Sequence, residues 1–307
     1  MVKESALLPT FPKFTPLTLQ HKDTLSLIAN NFPSSDFNFA GLYTWDVKES
    51  VMVSSLFGNL VIRTSDYLSH DNFYSFIGNQ KVDETIKALT DYAKKYGEQS
   101  SLKLIPQSVA ELVSDHKAHE VLEDRNNFDY ILSVKDLIEF RSNKYRGKKN
   151  EHNRFLNKYG RTVIEKEIDL DNTKVQKDVL AVLIKWQLSR GKLSNDVKDE
   201  FVAIERALNN HKVLNIQAFG IYIENKLIAF TLFEITPNKV AILHFDKANI
   251  EYNGVFVHLK RSFAKHLNNL GVSKINYEQD LGIEGLRKSK ESYKPIEYIK
   301  KYTISRK

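Results

Sequence analysis

Hydrophobic positions in the first half of the chain form short strand-like runs followed by one helix-like stripe. Three apolar runs bounded by turn residues predict β-strands at Val51–Phe57, Leu60–Arg63 and Phe73–Ile77. Apolar residues then recur at helical spacing from Val82 to Tyr96, which predicts an amphipathic helix that ends at Gly97. A strand is predicted next at Leu102–Ile105. Ahead of these elements, three prolines predict a loop, followed by a short strand at Leu17–Leu19 and a helix over 21–30.

The second half repeats this order of elements. Two helices come first, at Val175–Leu188 and Glu200–His211. A hairpin and a third strand follow, at Phe219–Ile223, Leu227–Phe233 and Val240–Phe245. A helix from Val255 ends at Gly271, directly before a strand at Lys274–Tyr277. The sequence therefore predicts an α+β fold with two mixed sheets flanked by helices. The repeat favours two copies of one unit, although this order of elements also recurs by chance.

The predicted division of the chain follows from the repeat. Residues 1–132 form a first domain, residues 133–160 form a basic connecting helix, and residues 161–307 form a second domain that carries the active site. A length of 307 residues fits two domains of about 150 residues each.

Composition excludes several classes of protein. With 42% hydrophobic and 27% charged residues, the chain is typical of a globular protein rather than a disordered or fibrous one. It has no cysteine, which excludes disulfides, thiolate metal sites and thiol nucleophiles. No apolar run approaches the length of about 18 residues that a membrane span needs, and the first residues lack a leader pattern. We therefore expect a cytoplasmic protein without a transmembrane segment.

The net charge of +7 is concentrated in two stretches. Residues 135–161 contain nine basic and three acidic residues, and residues 286–307 contain eight basic and two acidic residues. The rest of the chain therefore carries a net charge of −5. Such clusters indicate an anionic partner, either a phosphate backbone such as that of tRNA or anionic lipid headgroups. A solvated lysine-rich surface is the alternative.

Common catalytic motifs are missing from the sequence. The nine histidines include one close pair, His116 and His119, and no HExxH pattern, so we predict no metal site. The Walker, GxSxG and GxGxxG motifs are also absent. This removes the usual support for a nucleotide hydrolase, a serine hydrolase or a dehydrogenase.

Polar residues follow two predicted strands of the second half, the strand that ends near Phe245 and the strand at Lys274–Tyr277. Side chains at the ends of neighbouring strands project into one crevice, where α+β transferases commonly bind substrate. We therefore predict that three carboxylates are catalytic and converge on one pocket: Asp246, Glu278 and Asp280. A buried network of structural ion pairs is the alternative.

Binding residues are predicted from this cluster, from the polar segment Glu123–Tyr130 and from the basic stretch. A salt-bridged turn is the alternative for the polar segment, and a solvated helix is the alternative for the basic stretch. The predicted substrate-binding residues are Arg125, Asn127, Asn249, Tyr252, Gly254, Glu284, Arg287 and Lys290. In the basic stretch, helical spacing places Lys144, Lys148 and His152 on one face, with aromatic neighbours that suit RNA bases. The predicted RNA- or phosphate-binding residues are Lys144, Arg146, Lys148, Lys149 and His152.

Three strings of this sequence resemble a known family. Glu123–Tyr130 reads EDRNNFDY, Lys144–Asn150 reads KYRGKKN, and Glu278–Lys290 reads EQDLGIEGLRKSK. With Asp246–Gly254, they make the chain resemble the soluble phosphatidylglycerol lysyltransferase C-terminal domain family over nearly its whole length. The resemblance implies two tandem GNAT-like acyltransferase domains. It also implies transfer of an aminoacyl group from aminoacyl-tRNA to an amine or hydroxyl of a lipid headgroup or a peptide-like acceptor, with no bound cofactor and with peripheral contact to membrane lipid.

The donor that the resemblance implies can be compared with acyl-CoA. Members of the GNAT fold that use acyl-CoA bind its pyrophosphate with a glycine-rich loop that opens the central helix. Here that segment reads NIEYNGVF from Asn249 to Phe256, so the second glycine is missing and Glu251 would repel a phosphate. An aminoacyl-tRNA donor is therefore expected. An acyl-CoA-dependent N-acyltransferase and a non-catalytic GNAT-like module that binds tRNA or an anionic surface are the alternatives.

Overall fold

A computed structural model of the protein describes residues 7–189 and 195–307, without the side chains of residues 195–197. Its helices are α1 (Lys22–Ala29), α2 (Phe39–Trp45), α3 (Val82–Lys95), α4 (Gln107–Ala110), α5 (Val134–Glu139), α6 (Arg146–Tyr159), α7 (Thr173–Ser189), α8 (Asn195–Asn209), α9 (His211–Leu214), α10 (Val255–Asn269) and α11 (Glu284–Glu291).

The strands lie singly or in runs of two or three along the chain. They are β1 (Thr15–Pro16), β2 (Met52–Leu56), β3 (Asn59–Ser65), β4 (Asn72–Ile77), β5 (Leu102–Pro106), β6 (His119–Glu123), β7 (Asp129–Ser133), β8 (Val163–Glu167), β9 (Gln217–Ile223), β10 (Lys226–Ile235), β11 (Val240–Ala248), β12 (Lys274–Asn276), β13 (Glu297–Ile299) and β14 (Lys301–Arg306).

The chain folds into two compact units that differ from the predicted division at 132 and 161. The first unit runs up to Asp129 and also contains Gln279–Arg287 and Tyr298–Lys307. The second unit contains Tyr130–Glu278 and Lys288–Glu297. The C-terminal residues return to the first unit because β14 pairs with both β5 and β6. The basic stretch is not a separate connector, since α5 and α6 both belong to the second unit.

The first unit is built on a mixed sheet with the strand order β1-β2-β3-β4-β5-β14-β6. Its described neighbours pair antiparallel, except for β4 and β5, which run parallel across the α3 crossover. Val82, Ile86, Leu89 and Ala93 form the buried face of α3 and pack with the apolar side chains of the sheet. The periodicity that predicted this helix therefore reports its buried face.

The second unit is built on a mixed sheet with the strand order β13-β7-β12-β11-β10-β9-β8. Strands β8 to β11 form an antiparallel meander, and β11 pairs parallel with β12 after the α10 crossover. The α10 side chains of Leu259, Phe263 and Leu267 are fully buried, and the Phe263 ring meets the Phe233 ring at 4.7 Å. Each such buried side chain contributes about 1.5–3 kcal/mol, so α10 is anchored firmly on this sheet.

The predicted fold class, α+β with two mixed sheets flanked by helices, is confirmed. The predicted ends of α3 and α10 are confirmed as well, because Gly97 and Gly271 follow these helices with φ values of 69° and 74°. The strand predicted at Leu17–Leu19 is wrong. A 3-10 turn begins at Leu19, and the short strand β1 lies earlier, at Thr15–Pro16. The prolines and the short apolar run did not distinguish these two positions.

We expect Gly254→Ala to destabilise the second unit more than Gly271→Ala. Both glycines have positive φ, 88° and 74°, so each alanine is strained by about 1 kcal/mol. At Gly254 a Cβ would also lie 2.8 Å from the backbone oxygen of Glu151, whereas at Gly271 nothing lies within 4 Å. Denaturant unfolding measures both variants. Equal losses would show that the close approach of α6 to Gly254 contributes nothing.

Candidate functional site

The second unit holds a carboxylate and a lysine in direct contact, both largely withdrawn from water. Asp246 lies near the end of β11, and its Oδ2 accepts a hydrogen bond from Lys260 Nζ of α10 at 2.6 Å. Its Oδ1 accepts from Thr231 Oγ1 of the neighbouring strand at 3.0 Å. The Asp246 side chain is 8% exposed and that of Lys260 is 1% exposed. The carboxylate therefore lies at the solvent side of the pair.

Two tyrosines complete the surroundings of Lys260. Its Nζ lies 3.9 Å from the ring centroid of Tyr277 and 5.8 Å from that of Tyr293. Burial lowers the pKa of Lys260, and the adjacent Asp246 opposes this shift. Burial raises the pKa of both tyrosines well above the usual range, and the charge of Asp246 adds to the effect. Both phenols therefore remain neutral donors across the physiological range.

Lys260 is buried because of its position on α10. It follows Phe256 by four residues and precedes Phe263 by three, so it shares the helix face that packs on the sheet. A lysine on that face has to find a partner, since an unpaired buried charge is costly. Asp246 supplies the partner.

A second group of carboxylates surrounds a histidine on the same strand. His244 Nδ1 lies 3.0 Å from Glu278 Oε1, and its Nε2 lies 3.2 Å from Glu234 Oε1. Burial lowers the pKa of His244, but the hydrogen bonds and charges of Glu234 and Glu278 outweigh it and raise the pKa to about 10. The imidazole is therefore charged at neutral pH, and the three groups together carry one net negative charge.

Local irregularities of the backbone present this group. The pairing of β10 with β11 shifts between Leu232 and Phe233, which skips His244 and leaves it as the extra residue of a β-bulge. Glu278 has a φ of 55°, a left-handed conformation that is uncommon for a residue with a side chain. Both features turn side chains away from regular strand geometry, and such strain is common at functional sites.

The turn before α10 contains three predicted substrate-binding residues. Asn249 is buried; its Nδ2 donates to Glu251 Oε2 at 2.9 Å and its Oδ1 accepts from Glu251 N at 3.1 Å. The Tyr252 ring packs 5.2 Å from that of Tyr159, and Gly254 directly precedes α10 with a positive φ. These contacts give the residues structural roles in the turn, and substrate binding by them stays a prediction.

Asp280 belongs to the first unit, whereas the other two predicted catalytic carboxylates, Asp246 and Glu278, belong to the second. Asp280 has no exposed side-chain surface; it accepts from Arg287 Nε and Nη2 at 2.9 and 2.8 Å and lies 3.3 Å from Arg125 Nη1. Its Oδ1 also accepts from Gly282 N at 2.8 Å. These contacts match the structural ion-pair alternative, and a catalytic role for Asp280 stays a prediction.

The remaining predicted binding residues occupy contrasting environments. Asn127 donates from Nδ2 to Asp124 Oδ2 at 2.7 Å inside a tight turn, and Glu284 is exposed at the start of α11. Lys290 was expected to face substrate, but it is buried, donates to the backbone oxygen of Tyr277 and lies 4.6 Å from the ring centroid of that residue. Its cation therefore anchors α11 residues inside the second unit.

The predicted basic face of α6 is wrong for two of its members. His152 is 1% exposed and stacks on His258 with ring centroids 5.1 Å apart, so it does not reach an external ligand. Lys148 is half-buried, with Nζ 4.3 Å from the ring centroid of Tyr293, and burial lowers its pKa. The i, i+4 spacing identified one face correctly, but that face turns inward because Phe155 lies on it as well.

The other predicted RNA-binding residues are exposed. Lys144 lies ahead of α6, where its Nζ is 3.4 Å from Asp136 Oδ2. Arg146 and Lys149 are exposed on α6 itself.

Sequence reasoning missed the two residues at the centre of these groups, Lys260 and His244. Each carries a signal in the sequence. Lys260 interrupts the apolar stripe of α10, and His244 interrupts the apolar run of β11. A titratable residue at a position that periodicity assigns to the core needs a buried partner and is a candidate for function.

Within residues 7–189 and 195–307, no group of three or more histidine, aspartate or glutamate side chains is arranged to hold a metal ion. In the same residues, none of the helices has both the length and the apolar character required to span a membrane.

The sequence profile of one protein family matches nearly the whole chain. This family is described as phosphatidylglycerol lysyltransferase, C-terminal, and the match covers residues 30–305. None of the curated proteins matches the sequence.

Solved structures share the fold. A conserved protein of unknown function from Bacteroides thetaiotaomicron is 24% identical, with a TM-score of 0.81 over 98% of this chain and 100% of its own. The C-terminal domain assigned to a lysylphosphatidylglycerol synthetase from Agrobacterium fabrum is 12% identical, with a TM-score of 0.62 over 94% of this chain and 92% of its own. L-PGS from Bacillus licheniformis is 14% identical, with a TM-score of 0.60 over 98% of this chain and 94% of its own. At these identities the likeness is one of fold.

We expect the free energy of unfolding of the His152→Phe variant to fall less than that of the wild-type protein when the pH is lowered from 7 to 5. Burial, with the charges of Arg261, His258 and Lys265, lowers the pKa of His152 from 6.5 to about 4. Between these values the unfolded chain binds a proton that the folded protein does not, so the free energy of unfolding falls as the pH drops. This histidine alone costs about 2 kcal/mol between pH 7 and pH 5.

Phenylalanine keeps the aromatic stack and removes the titration. Denaturant unfolding at pH 7 and pH 5 measures the effect, with the exposed His116→Phe as the matched control. A variant that loses as much stability as the wild type between these pH values would contradict the assignment.

Proposed function

Since the chain belongs to the C-terminal family of phosphatidylglycerol lysyltransferases, an acyltransferase family, we propose that it transfers an aminoacyl group from an aminoacyl-tRNA to an amine or hydroxyl acceptor. The acceptor is a lipid headgroup or a peptide-like amine. The observation that carries this proposal is the buried Asp246–Lys260 pair, whose carboxylate lies on the solvent side.

The reaction needs no oxidant, metal or cofactor. The acceptor nitrogen or oxygen attacks the ester carbonyl carbon of the donor, and a new C–N or C–O bond forms. The bond from that carbon to the ribose oxygen breaks. The proton lost by the acceptor ends on the ribose hydroxyl that leaves. Because the ester is already activated, the protein mainly has to orient the acceptor, move this proton and stabilise the oxyanion.

Asp246 is assigned the proton transfer. Its Oδ2 is held by Lys260, and its Oδ1 faces Thr231, so the carboxylate has a fixed orientation. Fixed orientation is what a general base requires, since it has to lie within hydrogen-bond reach of the proton it removes. Lys260 is a positioning residue: it keeps a carboxylate in this poorly hydrated place and has no exposed surface of its own for substrate.

Glu278 is assigned a part in binding the ammonium group of the donor. Its side chain is 21% exposed, and it shares one net negative charge with Glu234 and His244. An aminoacyl ester carries a positive α-ammonium group, which such a site attracts. The charged His244 holds Glu278 in place, so that the carboxylate does not have to be ordered when the donor binds.

An acyl-CoA donor has less support than aminoacyl-tRNA. In the turn before α10, where acyl-CoA enzymes of this fold class bind pyrophosphate, Asn249 donates a hydrogen bond that fixes the Glu251 carboxylate. A fixed negative charge in this turn repels a pyrophosphate. The proposal places the protein in the cytoplasm, where aminoacyl-tRNA is present, with peripheral contact to the membrane when the acceptor is a lipid.

We expect Asp246→Asn to lower aminoacyl transfer by about 10²–10⁴-fold, the usual contribution of a general base. The rate is measured as transfer of radiolabelled amino acid from charged tRNA to the lipid of phosphatidylglycerol vesicles or to a peptide amine. Asp129→Asn is the matched control, because Asp129 is also buried and also paired with a buried lysine, Lys301, at 2.5 Å. Rates are compared per folded protein. Equal losses in the two variants would contradict a chemical role for Asp246.

The donor is tested by exchanging the carrier. We expect the wild-type protein to transfer the amino acid from aminoacyl-tRNA and to leave the same amino acid on a CoA thioester untouched. Thermal stability in the presence of free CoA adds a binding readout, since a ligand of the folded state raises the midpoint of unfolding. Transfer from CoA alone, with a rise in that midpoint, would overturn the donor assignment and favour the acyl-CoA alternative.

A further inference from the structure

The outward face of α6 is a surface that the proposed chemistry does not use. It consists of the exposed residues of the helix: Arg146, Gly147, Lys149, Asn150, Asn153, Arg154, Leu156, Asn157 and Lys158. This face has four cations, three amides, one large apolar side chain and no carboxylate. The one acidic residue of α6, Glu151, is half-buried at the edge of this face, three residues before Arg154 and seven before Lys158.

The cations of this face lack the partners that surface cations usually have. Across the described ranges, 7–189 and 195–307, Arg146, Lys149 and Arg154 have no ion pair, and Lys158 contacts only an aromatic ring, that of Tyr159, at 5.0 Å. Arg146 and Lys149 are three residues apart and repel each other. They also lie in the first turn of the helix, where the backbone dipole disfavours positive charge. An anion bound here would therefore stabilise the helix.

Amides occupy the positions between the cations. Asn150, Asn153 and Asn157 follow one another at helical spacing and line a shallow open cleft together with Gly147 and Arg154. Asparagine is a poor helix former, so three of them on an exposed face do not serve the helix itself. Each amide both donates and accepts, which suits the alternating phosphate and 2′-hydroxyl groups of an RNA backbone.

The composition of the face distinguishes RNA from a membrane surface. Peripheral helices that bind anionic lipid insert a stripe of large apolar residues below their cations. The outward face of α6 offers Leu156 alone. Amides contribute little to binding of a lipid surface, whereas they contribute hydrogen bonds to ribose and phosphate.

The inner side of α6 is packed on the helix that carries Lys260. The Phe155 ring stacks on His258 of α10 with centroids 4.3 Å apart, and the Glu151 backbone closely approaches Gly254 at the start of α10. Lys148 lies over Tyr293, the same ring that Lys260 faces. A ligand held on the outward face is therefore held at a fixed position relative to the Asp246–Lys260 pair of the same unit.

We propose that the outward face of α6 binds the phosphate–ribose backbone of the RNA donor, with Arg146, Lys149 and Arg154 on phosphates and Asn150, Asn153 and Asn157 on riboses. This inference rests on the proposed function, since it locates the donor of that reaction. It replaces the predicted set of RNA contacts, from which Lys148 and His152 are removed by their burial.

The test measures binding of a fluorescent tRNA to the full chain by anisotropy at several salt concentrations. We expect the variant R146Q/K149Q/R154Q to bind about tenfold or more weakly and to lose about two units of the slope of log affinity against log salt. The matched control is K87Q/K94Q/K95Q, which removes three exposed cations from α3 of the first unit. Equal weakening by both variants would overturn the proposal.

A second variant separates ribose recognition from charge. The variant N150A/N153A/N157A keeps every charge. We expect its affinity for tRNA to be lower than that of the wild-type protein. We expect its affinity for a DNA hairpin with the same base sequence to equal that of the wild-type protein. Unchanged tRNA binding would overturn the role of the amides. If the wild type binds phosphatidylglycerol vesicles through this face and binds no tRNA, the surface is a lipid contact and the proposal is wrong.

The outcome is distinguishable from that of the transfer reaction. A wild-type protein that binds tRNA through this face and transfers nothing supports the surface and overturns the proposed function. A protein that transfers amino acid from charged tRNA with full efficiency in the R146Q/K149Q/R154Q variant supports the function and overturns the surface.

Discussion

The largely buried ion pair between Lys260 and Asp246 organises the second unit. Lys260 comes from the helix that crosses between two parallel strands, and Asp246 comes from the first of these strands, so their contact fixes the helix against the sheet at the place where polar groups reach solvent. Removing one partner of such a pair typically costs about 3–5 kcal/mol, because the other charge is left buried. A replacement by apolar residues would avoid that cost. The pair therefore fits the proposed role of the carboxylate better than a role in stability alone.

The sequence predicts the fold where a buried face has a clear period. The stripes of α3 and α10, the glycines that end them and the hairpin of β9 and β10 follow from hydrophobic spacing and turn residues alone. The pairing of β14 with β5 and β6 in the first sheet cannot be predicted in this way. Tyr302 and Ile304 are the only large apolar residues of β14, and the neighbouring sequence does not indicate which strands they pair with. Pairing between residues far apart in the chain is a tertiary property, and it alone determines where the units divide.

The sequence predicted only part of the site, because spacing along the chain does not show which distant residues come into contact. Strand ends pointed to Asp246 and Glu278, which lie in the second unit, whereas Asp280 follows Glu278 by two residues and belongs to the first unit. Spacing also placed Lys148 and His152 on a common helix face, but it did not show that this face is the buried one. The partners Lys260 and His244 lie at core positions, where only their polarity distinguishes them from their neighbours.

The proposed chemistry and the proposed recognition of the donor involve two helices that pack on each other, α10 with the lysine and α6 with the exposed amides and cations. The central claim is that the aminoacyl group reacts at Asp246. Its most direct test is a crystal structure with a stable amide-linked analogue of the aminoacyl-adenosine end of the donor. The account predicts the carbonyl of the analogue in contact with the Asp246 carboxylate. An analogue bound only in the first unit, or in the second unit away from Asp246 and Lys260, would contradict it.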